Sequence, residues 1–450
     1  MKQVPLPSTK SLTPAQIIVS YYFIAIAISV ALLYLPGVTE ADAELSFIDT
    51  VFVAVSAVSV TGLSPVNIAD TFTVFGYAII MMILQLGGIG IMSIGTFVWL
   101  IAGKKIGLRE RQLIMIDHNQ PTLSGVVKLI REIVKILLLI QLVGAIILSL
   151  YFMQFFEDPK FAILNGIFST ISATTNGGFD INGDSLLSFR GDYFVQSVHM
   201  LLIVLGAIGF PVLIEVKEFL SNKDKTFRFS LFTKITTVTY GALLVIGAIG
   251  IYVLEYFNTF RFLSWHDALF GALFHSVSSR SGGLTTMNIE LFDQGTNFFM
   301  SFLMFIGASP SSVGGGIRTT TFAIALLFLI NFSRGKNEIQ IFGREIHLID
   351  VFRSYAVILL AALIVIFSAI LLSVTDPTIP ITALIFEITS AFGTCGMSLG
   401  VTDDLSNIGK VTIMFLMFIG RVGLISFLFT LGGKSNSTKF HYPKERVIIG

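Results

Sequence analysis

Charge is what this chain has least of. Only 13% of its 450 residues are charged and 54% are hydrophobic, where water-soluble domains carry about 25% charged residues. A soluble domain with so little charge could not cover its own surface, so the composition implies an integral membrane protein. The mean hydropathy of +0.84 agrees. A net charge of +1 gives a nucleic acid nothing to hold. The single cysteine, Cys395, excludes an intrachain disulfide. His118, His199, His266, His275, His347 and His441 are scattered without metal-ligand spacing. The opening MKQVPLPSTKSLTPAQ leads to no small-residue cleavage site behind the first apolar run. Gln16 to Leu35 therefore reads as a retained helix.

Glycine is present, and in a repeating setting. Ser56 to Leu63 reads SAVSVTGL, Ser172 to Phe179 SATTNGGF, Val277 to Leu284 VSSRSGGL and Ser390 to Met397 SAFGTCGM. Their glycines, Gly62, Gly178, Gly283 and Gly396, stand 116, 105 and 113 residues apart. A near-constant period defines an architecture. Glycine reaches positive φ cheaply, so its loop can turn carbonyls in unusual directions. Four such loops around one axis would offer rings of carbonyl oxygens able to replace the hydration shell of a monovalent cation. The neighbours are small or uncharged: Val60 and Thr61, Asn176 and Gly177, Ser281 and Gly282, Thr394 and Cys395. That suits an ion site built from backbone. Four unrelated turns would need neither shared sequence nor a common period.

Each glycine segment follows a short apolar run and lies between two long ones. The expected fold is all-α, with four repeats of helix, re-entrant helix with loop, and helix. They cover residues 16–105, 126–220, 229–332 and 350–431, between terminal segments 1–15 and 434–450. Runs of about 12 residues cannot cross about 30 Å at 1.5 Å per residue, so the chain should have about eight spanning helices and four re-entrant ones. The ends after each unit are basic, as at Lys104, Lys105, Lys217, Lys223, Arg334 and Lys434. The loops around the glycine segments are acidic, as at Glu40, Asp42, Asp180, Asp184, Glu290 and Asp403. The positive-inside rule then puts both termini in the cytoplasm, with an acidic vestibule outside that concentrates cations.

Ala308 to Thr321, ASPSSVGGGIRTTT, interrupts the last helix of the third unit. Pro310 and Gly314 to Gly316 break helix, and serine and threonine can satisfy the freed backbone. No Gly-Lys-Ser/Thr occurs in this loop, so it is no phosphate-binding loop. A simple kink would need only one or two such residues. Arg421 lies in the apolar run Val411 to Leu431 with no acid near it in sequence. A charge at membrane depth is costly and marks function, unless it is half of a structural ion pair. Arg280, at the foot of the third glycine loop, and Glu387, in the fourth short helix, read as supports for the loops. Gly87, Gly88 and Gly90 read as close helix packing. Gln85 and Glu215 read as buried polar positions without a role.

Four such units, with SVTGL at Ser59 to Leu63 and SRSGGL at Ser279 to Leu284, resemble the Trk/Ktr/HKT superfamily of potassium transporters. The bacterial Ktr membrane subunit is the nearest pattern, from Gln16 to Leu431. The resemblance implies a potassium-uptake subunit of the bacterial cell membrane, with a selectivity filter at the glycine loops. It makes Ala308, Ser309, Pro310, Ser311, Ser312, Val313, Gly314, Gly315 and Gly316 a gate beneath the filter. It matches Arg421 to an arginine that reaches the pore as an electrostatic barrier. Plant relatives can carry serine at the first filter glycine, associated with sodium preference, so Gly62 favours potassium. It also implies a homodimer with one pore per chain and a cytoplasmic nucleotide-binding ring. That ring would dock on the basic loops and on Lys434 to Gly450. No cofactor and no covalent chemistry are implied, and sodium assistance stays open. The alternatives are a sodium-permeable or poorly selective channel, a transporter of organic solutes, and an intramembrane enzyme. A solute transporter usually has inverted repeats, whereas these all enter and leave on one side. An enzyme needs a convergent reactive cluster, and the sequence offers none.

Overall fold

The computed structural model describes residues 14–90, 107, 111, 115, 125–221, 227–336, 338–424 and 445. Four long helices, Pro14–Leu33, Val126–Phe152, Leu231–Glu255 and Leu348–Thr375, open the four repeats. Among the described residues they are the helices long and apolar enough to cross a membrane unbroken. In hydrocarbon every backbone group must find its partner within the segment, so an apolar run of this length becomes helix. Their faces divide accordingly. In the second repeat Ile133, Leu137, Gln141, Gly144 and Leu148 are buried, while Leu139, Leu142, Ile146 and Leu150 are exposed. An exposed apolar stripe of this kind faces lipid.

The short helices are Phe47–Ser59, Pro159–Thr174, Trp265–Ser278 and Ile381–Gly393, of 13, 16, 14 and 13 residues. At 1.5 Å per residue they reach about 20–24 Å, too short to span. Three start on side-chain caps: Ser46 accepts from Asp49 N, Asp158 from Lys160 N, and Ser264 from Asp267 N. Each becomes fully buried towards its C-terminus, where the glycine loop begins.

Among the described residues, every second helix reaches a break before it has the length of a full span. Val74–Ile89 ends at Gly90, with φ of 94°, and Asn407–Val422 ends at Gly423, with φ of 88°. Tyr193–Ala207 and Phe210–Ser221 meet at 104°. Gln294–Phe305 and Thr319–Ser333 are separated by the glycine-rich loop. The sequence signals a break only in the third repeat, because one glycine in an apolar run costs about 1 kcal/mol relative to alanine and does not declare a break. The expected ends of the first and fourth repeats, at 105 and 431, lie outside the described residues. So do residues 1–13 and all of 434–450 but Glu445.

Packing between repeats runs in one sense. The second helix of repeat 1 packs on the short helix of repeat 2, that of repeat 2 on repeat 3, and that of repeat 3 on repeat 4. The second helix of repeat 4 returns to the short helix of repeat 1 and closes the ring. Lys410 Nζ fastens this closure to Asp49 Oδ1 at 2.8 Å. The four short helices thus point their C-termini at one centre.

Candidate functional site

The four glycines meet at that centre. A methyl group built on Gly62 would lie 2.5 Å from Gly177 O and 2.9 Å from Gly178 Cα. One on Gly178 would lie 3.1 Å from Gly283 Cα and 3.3 Å from Gly62 Cα. One on Gly283 would lie 2.5 Å from Cys395 O, and one on Gly396 would lie 3.1 Å from Gly62 Cα. The contacts run round in repeat order, and what each glycine meets is backbone. All four have positive φ, 98°, 66°, 77° and 99°. Two residues before each glycine, Val60, Asn176, Ser281 and Thr394 also have positive φ, from 46° to 72°. In an extended strand successive residues face opposite sides. Left-handed residues at alternate positions turn the peptide planes back, so that carbonyls share one side. Four non-glycine residues held in this costly region at equivalent positions mark a backbone geometry common to all repeats.

A serine at the end of each short helix ties the loop in place. Thr61 N donates to Ser56 O at 2.8 Å and Gly62 N to Ser56 Oγ at 3.0 Å. Ser390 repeats this with Cys395 N at 2.8 Å and Gly396 N at 3.1 Å. Ser172 Oγ and Ser278 Oγ instead donate forward, to Phe179 O at 2.6 Å and Leu284 O at 2.5 Å. The sequence reading gave these serines no role, although three of them open the repeated octets. Ser278 is displaced by one position, which hid the fourth. The negative end of each short helix also faces the centre, adding about half a charge per helix. Cation attraction there needs no carboxylate. Cys395 Sγ turns aside to Ser278 O at 3.3 Å, leaving its carbonyl against Gly283.

Above the ring opens a cavity of about 580 Å³, lined by the four glycines and by Asp180, Asp184, Glu290 and Asp403. Burial holds the Asp180 carboxyl above the usual carboxylate range, although it accepts hydrogen bonds from the Asn182, Gly183 and Ser185 backbone.

Below the ring lies the loop Ala308–Gly316. Ser309 N donates to Ala207 O at 3.0 Å, Val313 N to Gly206 O at 3.2 Å, and Phe210 N to Ser311 O at 2.9 Å. The loop therefore uses the backbone groups freed by the break in repeat 2. Gly316 N reaches Gly420 O at 3.3 Å, and Gly315 N reaches Thr394 Oγ1 at 2.7 Å. Ala308 N closes on Gly315 O at 3.2 Å, and Ser312 Oγ on Ser309 O at 2.6 Å. A methyl on Gly209 would come within 2.9 Å of Pro310 O, and one on Gly314 within 2.6 Å of Ser281 Oγ. Val313 is fully buried in an apolar cluster drawn from repeats 1 and 2.

Three arginines hold carbonyls that the breaks leave free. Arg421 Nη2 donates to Gly87 O and, at 3.4 Å, to Gly88 O, in the last turn of the repeat 1 helix. Among the described residues no acid pairs with it. Arg421 and Arg318 line a cavity of about 30 Å³ under the loop. Arg318 Nη1 donates to Gly314 O and to Ser309 O at 3.2 Å. Arg318 went unassigned in the sequence, where only its place at the end of the loop could have suggested it. Arg280 Nη2 donates to Gly307 O at 2.6 Å, and its guanidinium lies 5.2 Å from the Tyr240 ring centre. Glu387 does not pair with Arg280. It accepts from Ser398 Oγ at 3.1 Å and from Thr402 Oγ1, two residues of the cavity wall.

Several lesser expectations can be located. Gly87 lets the helix touch Val58 O, and Gly88 faces Thr175. Gln85 bonds Gln141 at 2.7 Å, and Gln141 bonds Thr174 at 3.0 Å, joining repeat 1 to the short helix of repeat 2. Glu215 accepts from Ser230 N at 3.0 Å. His199 and His275 each bond a carbonyl four residues back at 2.8 Å.

The chain matches the family model described as TrkH, cation transport protein, over residues 7–440. It is 53% identical over 441 residues to the Ktr system potassium uptake protein D of Bacillus subtilis, covering 98% of both chains. It is 34% identical over 449 residues to the potassium/sodium uptake protein NtpJ of Enterococcus hirae, again covering 98% of each. The crystal structure of the potassium transporter TrkH from Vibrio parahaemolyticus superimposes with a TM-score of 0.73 at 17% identity, covering 95% of this chain and 86% of that one.

Proposed function

The chain belongs to the TrkH family of cation transport proteins, and we propose that it takes up potassium through the ring of four glycine loops. It is a multi-pass protein of the bacterial membrane and a transporter, not an enzyme. The observation that carries the reading is the mutual contact of Gly62, Gly178, Gly283 and Gly396. Carbonyls aimed at this axis take over from water, and four helix C-termini supply the field. On this reading Val60 to Gly62, Asn176 to Gly178, Ser281 to Gly283 and Thr394 to Gly396 line the filter. Residues 308–316 gate it from below, and Arg421 sets a barrier beneath the gate. Arg280 braces the gate and Glu387 the outer mouth. The repeats divide at 16–105, 126–220, 229–332 and 350–431, with both termini cytoplasmic.

A relative that carries the name of a Ktr system supports a partner subunit. We infer that this partner is a cytoplasmic nucleotide-binding ring seated on the basic links and on 434–450, and that two copies of the chain pair. Sodium permeation is the second reading, favoured by the likeness to a potassium/sodium uptake protein.

The test is rubidium and sodium flux into liposomes holding the full chain, with Gly62→Ser beside it. A side chain there would strike the backbone at Gly177 and Gly178. The wild type should prefer rubidium, and the variant should lose much of that preference. An unchanged flux ratio in well-folded variant protein would remove Gly62 from the filter.

A further inference from the structure

The helix that opens repeat 2, Val126–Phe152, carries three basic residues near its start: Lys128, Arg131 and Lys135. The opening helices of repeats 1, 3 and 4 differ. The first has no basic residue, and the other two have only Lys234 and Arg353. Lys234 lies over the Phe342 ring at 5.7 Å, and Arg353 pairs with Asp350 at 3.4 Å. In repeat 2 all three basic residues are exposed. Lys128 and Arg131 pair with no acid among the described residues. Lys135 lies 3.9 Å from Glu132, whose carboxylate is already held by Lys217 at 2.5 Å. Four positive side chains thus surround one negative one.

Positions 128, 131 and 135 follow the helical spacing of three and four, which keeps them on one face. The same spacing continues through Leu139, Leu142, Ile146 and Leu150, all exposed. The opposite face, with Ile130, Ile133, Val134 and Leu137, is buried. The free cations therefore head the stripe that faces lipid. Their depth agrees. From Lys135 to the end of the helix at Phe152 the rise is about 26 Å at 1.5 Å per residue, close to the ~30 Å of bilayer hydrocarbon. Arg131 and Lys128 lie about 6 and 10 Å further out, across the headgroup layer on the basic side of the protein.

We propose that Lys128, Arg131 and Lys135 bind the headgroup of an anionic phospholipid, whose acyl chains lie along Leu139, Leu142, Ile146 and Leu150. A lipid supplies both halves of what this face lacks: a phosphate for unpaired cations and hydrocarbon for the stripe above them. The site rests on the membrane placement of the helix and not on potassium uptake.

The test is native mass spectrometry of the full chain released from detergent, titrated with phosphatidylglycerol or phosphatidylcholine. The wild type should retain phosphatidylglycerol in preference. Lys128→Gln, Arg131→Gln and Lys135→Gln should each weaken retention about fivefold, and the triple variant should lose the preference. Arg131→Lys should keep it. Lys234→Gln and Arg353→Gln should leave it intact. Equal loss from those two would make the attraction a property of the whole basic face and overturn the site, as would a triple variant that still prefers phosphatidylglycerol. Glycerophosphoglycerol, the same headgroup without acyl chains, should not compete. If it competes as well as the lipid, the site takes a free phosphate and the lipid proposal falls. Unchanged lipid retention with an altered oligomeric mass in the triple variant would show the face to be an interface between copies, again overturning it.

Discussion

Arg421 ends its helix and reaches across to the carbonyls of Gly87 and Gly88. Those carbonyls are the unpaired end of another helix, where partial negative charge collects. The guanidinium is therefore compensated by backbone, which removes the need for an acid and leaves a positive charge under the loop. At 4 Å such a charge repels a cation by about 4 kcal/mol at an effective dielectric near 20, and by about 1 in bulk water. Even the smaller figure is about fivefold in barrier crossing. Arg421→Ala should raise flux several-fold, while melting falls by the equivalent of about 1–3 kcal/mol for the orphaned carbonyls. Arg421→Lys keeps the charge and should change flux less. Liposome flux and detergent melting on one preparation check this. A large melting loss without any gain in flux would make Arg421 a purely structural cap.

At the scale of elements, the loop 308–316 is held to the other repeats mainly by single hydrogen bonds, three to repeat 2 and two to repeat 4. Each such bond contributes about 1 kcal/mol net, so the loop can exchange one set of partners for another at modest cost. Glycine and proline prevent it from closing into helix and sealing itself. Deleting Ser309 to Gly315 should increase potassium flux and reduce its dependence on a cytoplasmic partner. Flux assays with and without that partner would show it. Equal or lower flux from a folded deletion would make the segment a structural break and no gate.

The whole molecule is a ring of four repeats, and a ring depends on its closure. Repeat 4 meets repeat 1 through its second helix and through Lys410 to Asp49, a pair whose side chains are 11% and 15% exposed. Lys410→Met would leave Asp49 unpaired. The cost should be about 2 kcal/mol, below the 3–5 of fully buried pairs, since water still reaches this one. Adding Asp49→Ala should restore much of it. Melting temperatures of the two single variants and the double variant measure the coupling; simple additivity would mean that apolar packing alone closes the ring.

Composition, the four glycine segments and the lengths of the apolar runs determined the membrane, the repeats and the residues at the centre. Those signals are local: a 20-residue apolar run must be helix in lipid, and a glycine loop repeated four times needs one explanation. What only tertiary structure decided is where backbone is released and what takes it up. Gly90, Gly209 and Gly423 look like tolerated glycines in apolar runs. They become breaks because a neighbour supplies partners, Arg421 for Gly87 and Gly88, and Ser311 for Phe210. The one-residue offset of Ser278 and the return of repeat 4 to repeat 1 are of the same kind. Each joins residues distant along the chain, and a buried polar group is satisfied by whatever lies beside it in space.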